Sequence, residues 1–139
     1  MTNRCLQYIV KNQDPLTLGP DASLQSACRQ MWERRVGAVM VVDEGHLKGI
    51  FTGRDAVHAL AEGRDPAGTA LAAVMTRAPD TIAPDATAID ALRKMSDCGY
   101  RHLPIVDGDT LIGIVSRGDF KGLELDKLEE EAGLWERIC

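Results

Sequence analysis

One repeated sequence unit constrains the fold of this chain more than any other feature. Residues 15–55 align without a gap to residues 79–119, at a constant offset of 64. The two copies share a Pro-Asp-Ala turn, a Val-Asp pair and a Gly-x-x-[Thr/Ser]-x-x-Asp motif, where x is any residue. Each copy is too short to enclose its own core, so the repeat predicts two related units packed around a pseudo-twofold axis. Every polar motif then occurs twice.

Composition narrows the fold class and excludes some partners. The chain has 139 residues, enough for one compact domain, with 45% hydrophobic but only 4% aromatic residues. The core must therefore be built from Val, Ile, Leu, Ala and Met, which favours mixed α/β packing. A formal net charge of -5 provides no basic field, so we expect neither nucleic acid nor a membrane surface as a partner.

The cysteines, the histidines and the N-terminal residues indicate a cytoplasmic protein without a metal. Cys5, Cys28, Cys98 and Cys139 lack the close pairing of a zinc or redox motif and read as reduced thiols. The three histidines never share a helical ligand spacing, so no metal site is predicted. No signal peptide or membrane span is evident, and we expect a cytoplasmic location.

Periodicity within each copy predicts the order β-α-β-β-α and an α+β fold. In the second copy, residues 81–83 form a short extended segment, Thr87 caps a helix that ends near Gly99, and strands follow at 103–106 and 111–116. A second helix is predicted to begin at Asp119. In the first copy the helix spans 23–34 and the strands span 38–42 and 47–52.

The remaining segments connect or extend the two copies. A short helix at 71–75 leads into the second copy, and residues 6–10 are expected to play the same role for the first. We therefore assign repeat 1 to residues 5–63, repeat 2 to 70–123 and a helical tail to 124–139. The tail is amphipathic, and it either packs on its own domain or docks a partner.

The repeated Gly-x-x-[Thr/Ser]-x-x-Asp motif is the strongest candidate for binding chemistry. Its hydroxyl ends a strand and its carboxylate follows three residues later, in the first turn of a helix. An ionised Asp accepts hydrogen bonds only, which suits the adjacent hydroxyls of a ribose, while Thr52 or Ser116 and the helix N-terminus suit ribose or phosphate oxygens. The alternative is that Asp55 and Asp119 merely cap their helices.

Together, the order and duplication of these motifs resemble a pair of CBS domains, also called a Bateman module. The resemblance rests on Val74-Met75-Thr76, the segment 81–85, the segment 101–107 and both copies of the glycine motif. It covers roughly residues 5–123. The resemblance implies a stand-alone pair that commonly takes an adenosyl ligand such as AMP, ADP, ATP, NAD or S-adenosylmethionine in two clefts.

The resemblance also implies roles for residues outside the motif. Arg101 and His102 are the phosphate candidates, with Arg117 and Arg54 weaker. The alternative for His102 is an ordinary packed histidine. Adenine is expected against apolar walls. The residues that correspond to these walls are Thr81, Ile82, Tyr100 and Leu103 for one cleft and Thr17, Leu18, Val36 and Val39 for the other.

The two copies differ at one important place. Gly37-Ala38 stands where the second copy has Arg101-His102, and the proline that follows in the second copy is also missing. The cleft with Ser116 and Asp119 is therefore the stronger candidate. The Asp55 cleft either lacks a nucleotide-shaped pocket or makes room for a larger ligand such as NAD, and the sequence leaves both alternatives open.

Two functions follow from this interpretation. The first is a regulatory module that binds an adenine nucleotide, senses energy or redox state, and acts on a protein target through its conformation or its dimer geometry. A homodimer would form through apolar helix faces that include Val57, Leu60, Phe120 and Leu123. The alternative is an interaction module without a nucleotide. No spacing of nucleophile, base and oxyanion donor predicts an enzyme.

Overall fold

Each repeat forms two hairpin strands preceded by a helix and a short extended segment. The computed structural model describes residues 4–98 and 101–119. The elements of the first part are α1 (Leu6–Ile9), β1 (Thr17–Leu18), α2 (Leu24–Arg34), β2 (Ala38–Asp43), β3 (His46–Thr52) and α3 (Gly53–Ala61). Those of the second part are α4 (Leu71–Val74), β4 (Thr76–Arg77), α5 (Ala88–Cys98), β5 (His102–Asp107), β6 (Thr110–Ser116) and a 3₁₀ turn (Arg117–Asp119).

The predicted α+β class is confirmed, with element bounds that differ by a residue or so. The predicted cap at Thr87 is present, since Thr87 Oγ1 accepts from Asp90 N at 3.3 Å. Ser23, where the first-copy helix is expected to start, is also a cap, and its Oγ accepts from Ser26 N at 3.0 Å. Three predictions lie outside the described residues. They are the end of the second-copy helix near Gly99, the helix that follows Asp119, and the tail 124–139.

The sheets follow from hairpins with very short turns. In the first repeat, Glu44 and Gly45 both have positive φ and connect β2 to β3, as in a type I′ turn. β1 pairs parallel to β2 and β4 pairs antiparallel to β3, in the order β1-β2-β3-β4. In the second repeat β5 and β6 form a two-stranded sheet, and Ile82 makes one parallel bridge to Ile105.

Two separate cores exist, and each takes its short leading helix from the other repeat. Residues 14–80 form one unit together with 108–111, while residues 4–13 belong with the second repeat. Accordingly Leu71 of α4 is fully buried with Val39 and Phe51, whereas Leu6 of α1 is fully buried with Leu92 and Leu103. Residues 6–10 and 71–75 thus play equivalent roles, because α1 precedes the first copy and packs on the second, whereas α4 precedes the second copy and packs on the first.

Matching hydrogen bonds hold in place the two leading segments, which are the residues around α1 and the residues around α4. In the first repeat, Leu24 N donates to Thr69 O at 2.8 Å and Leu71 N donates to Ala22 O at 2.8 Å. In the second repeat, Ala88 N donates to Arg4 O at 2.7 Å and Leu6 N donates to Ala86 O at 2.9 Å. These bonds make Arg4 the structural counterpart of Thr69.

The repeated glycine allows each leading segment to cross a central strand. A Cβ at Gly49 would lie 2.8 Å from Thr76 O and 2.5 Å from Met75 Sδ. A Cβ at Gly113 would lie 2.7 Å from Gln13 Oε1 and 2.8 Å from Val10 Cβ. The glycine of the Gly-x-x-[Thr/Ser]-x-x-Asp motif therefore serves close backbone approach.

Candidate functional site

In the first repeat the motif carboxylate is fully engaged by the protein. Thr52 precedes α3, and its N–H donates to Asp55 Oδ2 at 2.9 Å while its hydroxyl accepts from Asp55 N at 3.5 Å. These two bonds are a capping box. The hydroxyl of Thr76 donates to Asp55 Oδ1 at 3.2 Å. Both carboxylate oxygens therefore have partners.

In the second repeat the same carboxylate has one oxygen to spare. Ser116 N donates to Asp119 Oδ2 at 2.6 Å, and Ser116 Oγ lies 3.2 Å from the same oxygen. Within residues 4–98 and 101–119, Asp119 Oδ1 accepts no hydrogen bond, and the residue is exposed. The capping role predicted as the alternative is seen in both repeats, but of the two motif carboxylates only that of Asp119 has an oxygen without a partner among the described residues.

One of the two phosphate candidates of the second repeat, His102, interacts electrostatically with this carboxylate. Burial lowers the pKa of His102, the Asp119 carboxylate opposes that shift, and the Arg101 guanidinium adds to it. His102 begins β5 and is half-buried, whereas Arg101, immediately before it, is exposed. The net lowered pKa keeps the imidazole neutral at pH 7, so it can either donate or accept a hydrogen bond.

The remaining cationic candidates are surface residues. Arg117 lies in the 3₁₀ turn beside Asp119, and Arg54 lies in the first turn of α3 beside Asp55. Both side chains are exposed. Their roles toward phosphate stay predictions.

The residues predicted as adenine walls divide by burial. Leu103 and Val39 are completely buried in the two cores, so neither residue offers an accessible surface to a ligand. Leu18 and Ile82 are partly buried and pack against these cores. Their strands place them equivalently, since Leu18 pairs with Val41 and Ile82 with Ile105.

Other members of the adenine set are more accessible. Thr17 is exposed in β1, and Val36 is 37% exposed ahead of β2. Thr81 is partly buried and its carbonyl accepts from Lys94 Nζ at 2.7 Å. Tyr100 lies outside the described residues.

The sequence interpretation missed three residues that contact the motifs. Thr76 binds Asp55, Gln13 pairs with Ile114 through its side-chain amide, and the Arg4 guanidinium donates to Asp119 O at 3.1 Å. Thr76 already stood in the Val74-Met75-Thr76 segment, so its hydroxyl was available as a signal. Arg4 and Gln13 had none, because their contacts depend on α1 packing on the second repeat.

Two open depressions lie in the first-repeat unit. The larger, of about 790 Å³, runs between α2 and α3; its lining includes Cys28, Met31, Trp32, Arg35 and Val36. Burial raises the pKa of Cys28 there, which keeps the thiol protonated. The smaller, of about 260 Å³, includes Asp55 and Thr76.

Two further kinds of site are not seen in the part of the chain that the structure describes. Among residues 4–98 and 101–119, no group of three or more His, Cys, Asp or Glu side chains is placed to hold a metal ion. No helix in the same ranges is long and apolar enough to cross a membrane.

The repeated fold and its paired motifs are those of a CBS pair, a class of regulatory module. The CBS domain family model matches the chain twice, at residues 9–62 and 71–125. The chain therefore belongs to the CBS domain family, and its predicted resemblance to a tandem CBS protein is confirmed.

Individual relatives agree with this assignment. The chain is 39% identical over 104 residues to the CBS domain-containing protein YhcV of Bacillus subtilis, covering 74% of each. It is 40% identical over 102 residues to CBSCBSPB2 of Arabidopsis thaliana, covering 72% of this chain and 19% of that protein. The chain thus spans about a fifth of the length of this Arabidopsis relative.

Solved CBS structures share the fold. The CBS pair of protein MJ0100, in complex with 5-methylthioadenosine and S-adenosyl-L-methionine, is 25% identical with a TM-score of 0.76, and the match covers 92% of this chain and 97% of that one. The Pyrobaculum aerophilum protein PAE2072, complexed with AMP, is 21% identical with a TM-score of 0.80, covering 90% and 98%. At that identity the second comparison supports the fold alone.

Proposed function

We propose that this chain is a ligand-sensing CBS pair that binds an adenine nucleotide, namely AMP, ADP, ATP or NAD, at the second repeat. The site contains Ser116, Asp119, Arg101 and His102. Asp119 accepts from a ribose hydroxyl, and the Arg101 guanidinium and the His102 imidazole meet the phosphate. The bound nucleotide changes the conformation or dimer geometry of the module and thereby its action on a protein target.

The spare Asp119 oxygen is the observation that carries this proposal. Both motif aspartates cap a helical turn, but Asp55 Oδ1 is occupied by Thr76 while Asp119 Oδ1 has no partner among the described residues. A carboxylate oxygen is a strong acceptor for a hydroxyl. Arg101 and His102 add the groups that a phosphate needs, and the first repeat has Gly37-Ala38 instead.

The relative solved with an adenosyl ligand supports the ligand class. The MJ0100 pair holds two such ligands at 25% identity. Adenosine is common to 5-methylthioadenosine, S-adenosylmethionine and the nucleotides named above. The proposal therefore depends on adenosine recognition first and on phosphate recognition second.

Calorimetric titration with AMP, ADP, ATP, NAD and adenosine tests the proposal. A nucleotide at 100 times its Kd should also raise the free energy of unfolding by about 2.7 kcal/mol. Asp119→Ala should weaken binding roughly ten-fold or more, because a charge-assisted hydrogen bond is lost. Asp55→Ala is the matched control, since it removes an equivalent cap and should leave the affinity of the second site unchanged.

The alternative function, an interaction module without a nucleotide, is favoured by exposed apolar residues on the first repeat. Trp32 is 84% exposed at the groove between α2 and α3, and Val57 and Leu60 of α3 are 67% and 75% exposed. Such residues suit a homodimer or a protein target. The other predicted dimer residues, Phe120 and Leu123, lie outside the described residues.

Two measurements separate these functions. Sedimentation of the wild type and of Leu60→Glu tests the dimer, which the introduced charge should weaken. If the wild type dimerises but shows neither heat nor a change in thermal unfolding with any of the five ligands, the interaction module is correct and the nucleotide proposal is not. We place the protein in the cytoplasm and assign it no catalytic role.

A further inference from the structure

The N-terminal segment brings an additional cation to the second-repeat site. Ala88 N donates to Arg4 O at 2.7 Å, and the neighbouring Cys5 forms an isolated antiparallel β-bridge with Thr87. Leu6, two residues later, is completely buried in the second-repeat core. The backbone of Arg4 is thereby tied to the first turn of α5 instead of being an unattached end.

The side chain of Arg4 reaches the motif itself. Its Nη2 donates to the carbonyl of Asp119 at 3.1 Å, in the 3₁₀ turn that also holds the Asp119 carboxylate against Ser116. Arg4 is partly buried and makes at least one further interaction. Its guanidinium is therefore positioned by the protein at the same turn as the spare carboxylate oxygen.

Comparison with the first repeat shows that this cation is specific to one site. Leu24 N donates to Thr69 O at 2.8 Å, in the same way that Ala88 N donates to Arg4 O. Thr69 is thus the counterpart of Arg4, and it carries no charge. The second repeat has Arg4, Arg101 and His102 at three positions where the first has Thr69, Gly37 and Ala38.

We propose that Arg4 is a phosphate-directed residue of the second-repeat site, and that this site prefers a phosphate-bearing adenosyl ligand to one carrying a sulfonium cation. This inference rests on the proposed adenine-nucleotide function. A guanidinium offers several N–H donors in a planar fork and can serve a protein carbonyl and a phosphate together. The guanidinium charges of Arg4 and Arg101 repel a sulfonium and attract a phosphate.

The test compares ligands that differ only in phosphate. Calorimetric titration of the full chain should give an Arg4→Gln variant that binds AMP roughly ten-fold more weakly than wild type, the change expected for one charge-assisted hydrogen bond. The same variant should bind adenosine with wild-type affinity, within about two-fold. Arg4→Lys keeps the charge without the fork and should fall between the two. Thr69→Gln is the matched control at the equivalent backbone position and should change neither affinity.

Each other outcome overturns the inference in a recognisable way. Equal loss of AMP and adenosine affinity in Arg4→Gln would mean that Arg4 only supports the local fold. Unchanged AMP affinity would remove Arg4 from the site, and wild-type binding of S-adenosylmethionine as tight as that of AMP would remove the phosphate preference. If the wild type binds neither adenosine nor AMP, the adenine-nucleotide function itself is wrong, which the preceding outcomes do not imply.

Discussion

The two repeats share a motif but complete it with different groups. In the first repeat, the backbone of β4 pairs with β3 through Thr76 and Ile50, and the Thr76 hydroxyl also occupies Asp55. In the second, the side-chain amide of Gln13 takes the place of a strand, donating to Ile114 O at 2.7 Å and accepting from Ile114 N at 2.6 Å. The motif carboxylate has a partner on both oxygens in the first repeat and, among the described residues, on one oxygen in the second.

This difference indicates that a repeated motif does not by itself define two equivalent sites. Glycine, hydroxyl and aspartate all have local structural duties in both repeats, namely close approach and capping. What separates the sites is the residue that each leading segment delivers: Thr76 to Asp55 and Arg4 to the turn of Asp119. The structural asymmetry of the two motifs depends on these residues.

The largest expected effect concerns the leading helices, each of which packs on the other repeat. Leu6→Ala should destabilise the second-repeat unit and Leu71→Ala the first, each by about 2–5 kcal/mol, because a fully buried leucine is truncated. Hydrogen exchange followed by mass spectrometry measures which unit loses protection. Tyr8→Ala is the control, since Tyr8 is 68% exposed in the same helix. Loss of protection in β2 and β3 on Leu6→Ala would contradict the packing of α1 on the second repeat.

The second test adds a methyl group at each motif glycine. Gly49→Ala and Gly113→Ala should each cost about 1–3 kcal/mol of unfolding free energy, because the new Cβ overlaps the leading segment. The two costs should be similar, because each new Cβ meets one movable side-chain end and, at 2.8 Å, one atom that cannot move without the backbone. That second atom is Thr76 O at Gly49 and Val10 Cβ at Gly113. Urea denaturation measures both. Gly19→Ala, with nothing within 4 Å of the new Cβ, is the control.

The third test opens the first-repeat motif. Thr76→Val removes the hydroxyl that occupies Asp55 Oδ1 and should cost about 1 kcal/mol or less of stability. It should also leave Asp55 with a spare acceptor, as in Asp119. Urea denaturation gives the stability change, and titration with adenosine shows whether a second binding event appears. Unchanged stability would mean that the Thr76 hydrogen bond contributes nothing.

The smallest expected effect is a pH dependence at His102. Because burial lowers the folded-state pKa of His102 below the usual 6.5, the unfolded chain binds a proton more readily, and stability falls as the pH drops through that range. Thermal unfolding between pH 7.5 and pH 5 should therefore show a decline that His102→Gln reduces. His58→Gln, on the exposed face of α3, is the control. A steeper decline in His102→Gln would contradict the lowered pKa.

Bound phosphate should reverse part of this behaviour. A phosphate beside His102 favours the charged imidazole, so AMP affinity should rise as the pH is lowered from 8 to 6. Calorimetry in buffers of different ionisation enthalpy would detect the accompanying proton uptake. Affinity that stays constant with pH would place the phosphate away from His102.

The repeat, the α+β class, the order of elements and the family could all be predicted from the sequence. These features depend on local physics: Ser23 and Thr87 are caps, Glu44-Gly45 is a tight turn, and the apolar runs around Val39 and Leu103 are strands buried in their cores. Local hydrogen bonding and side-chain periodicity are written in neighbouring residues, so they can be read without long-range contacts.

Which leading helix packs on which repeat, and with it the asymmetry of the two motifs, is set by long-range contacts in the folded chain. Arg4 reaches Asp119 across more than a hundred residues of sequence, as Gln13 reaches Ile114. Periodicity carries no information about such pairings, because α1 and α4 are both short apolar helices that would suit either core. The choice is made by complementary burial and by backbone hydrogen bonds that exist only once the chain is folded.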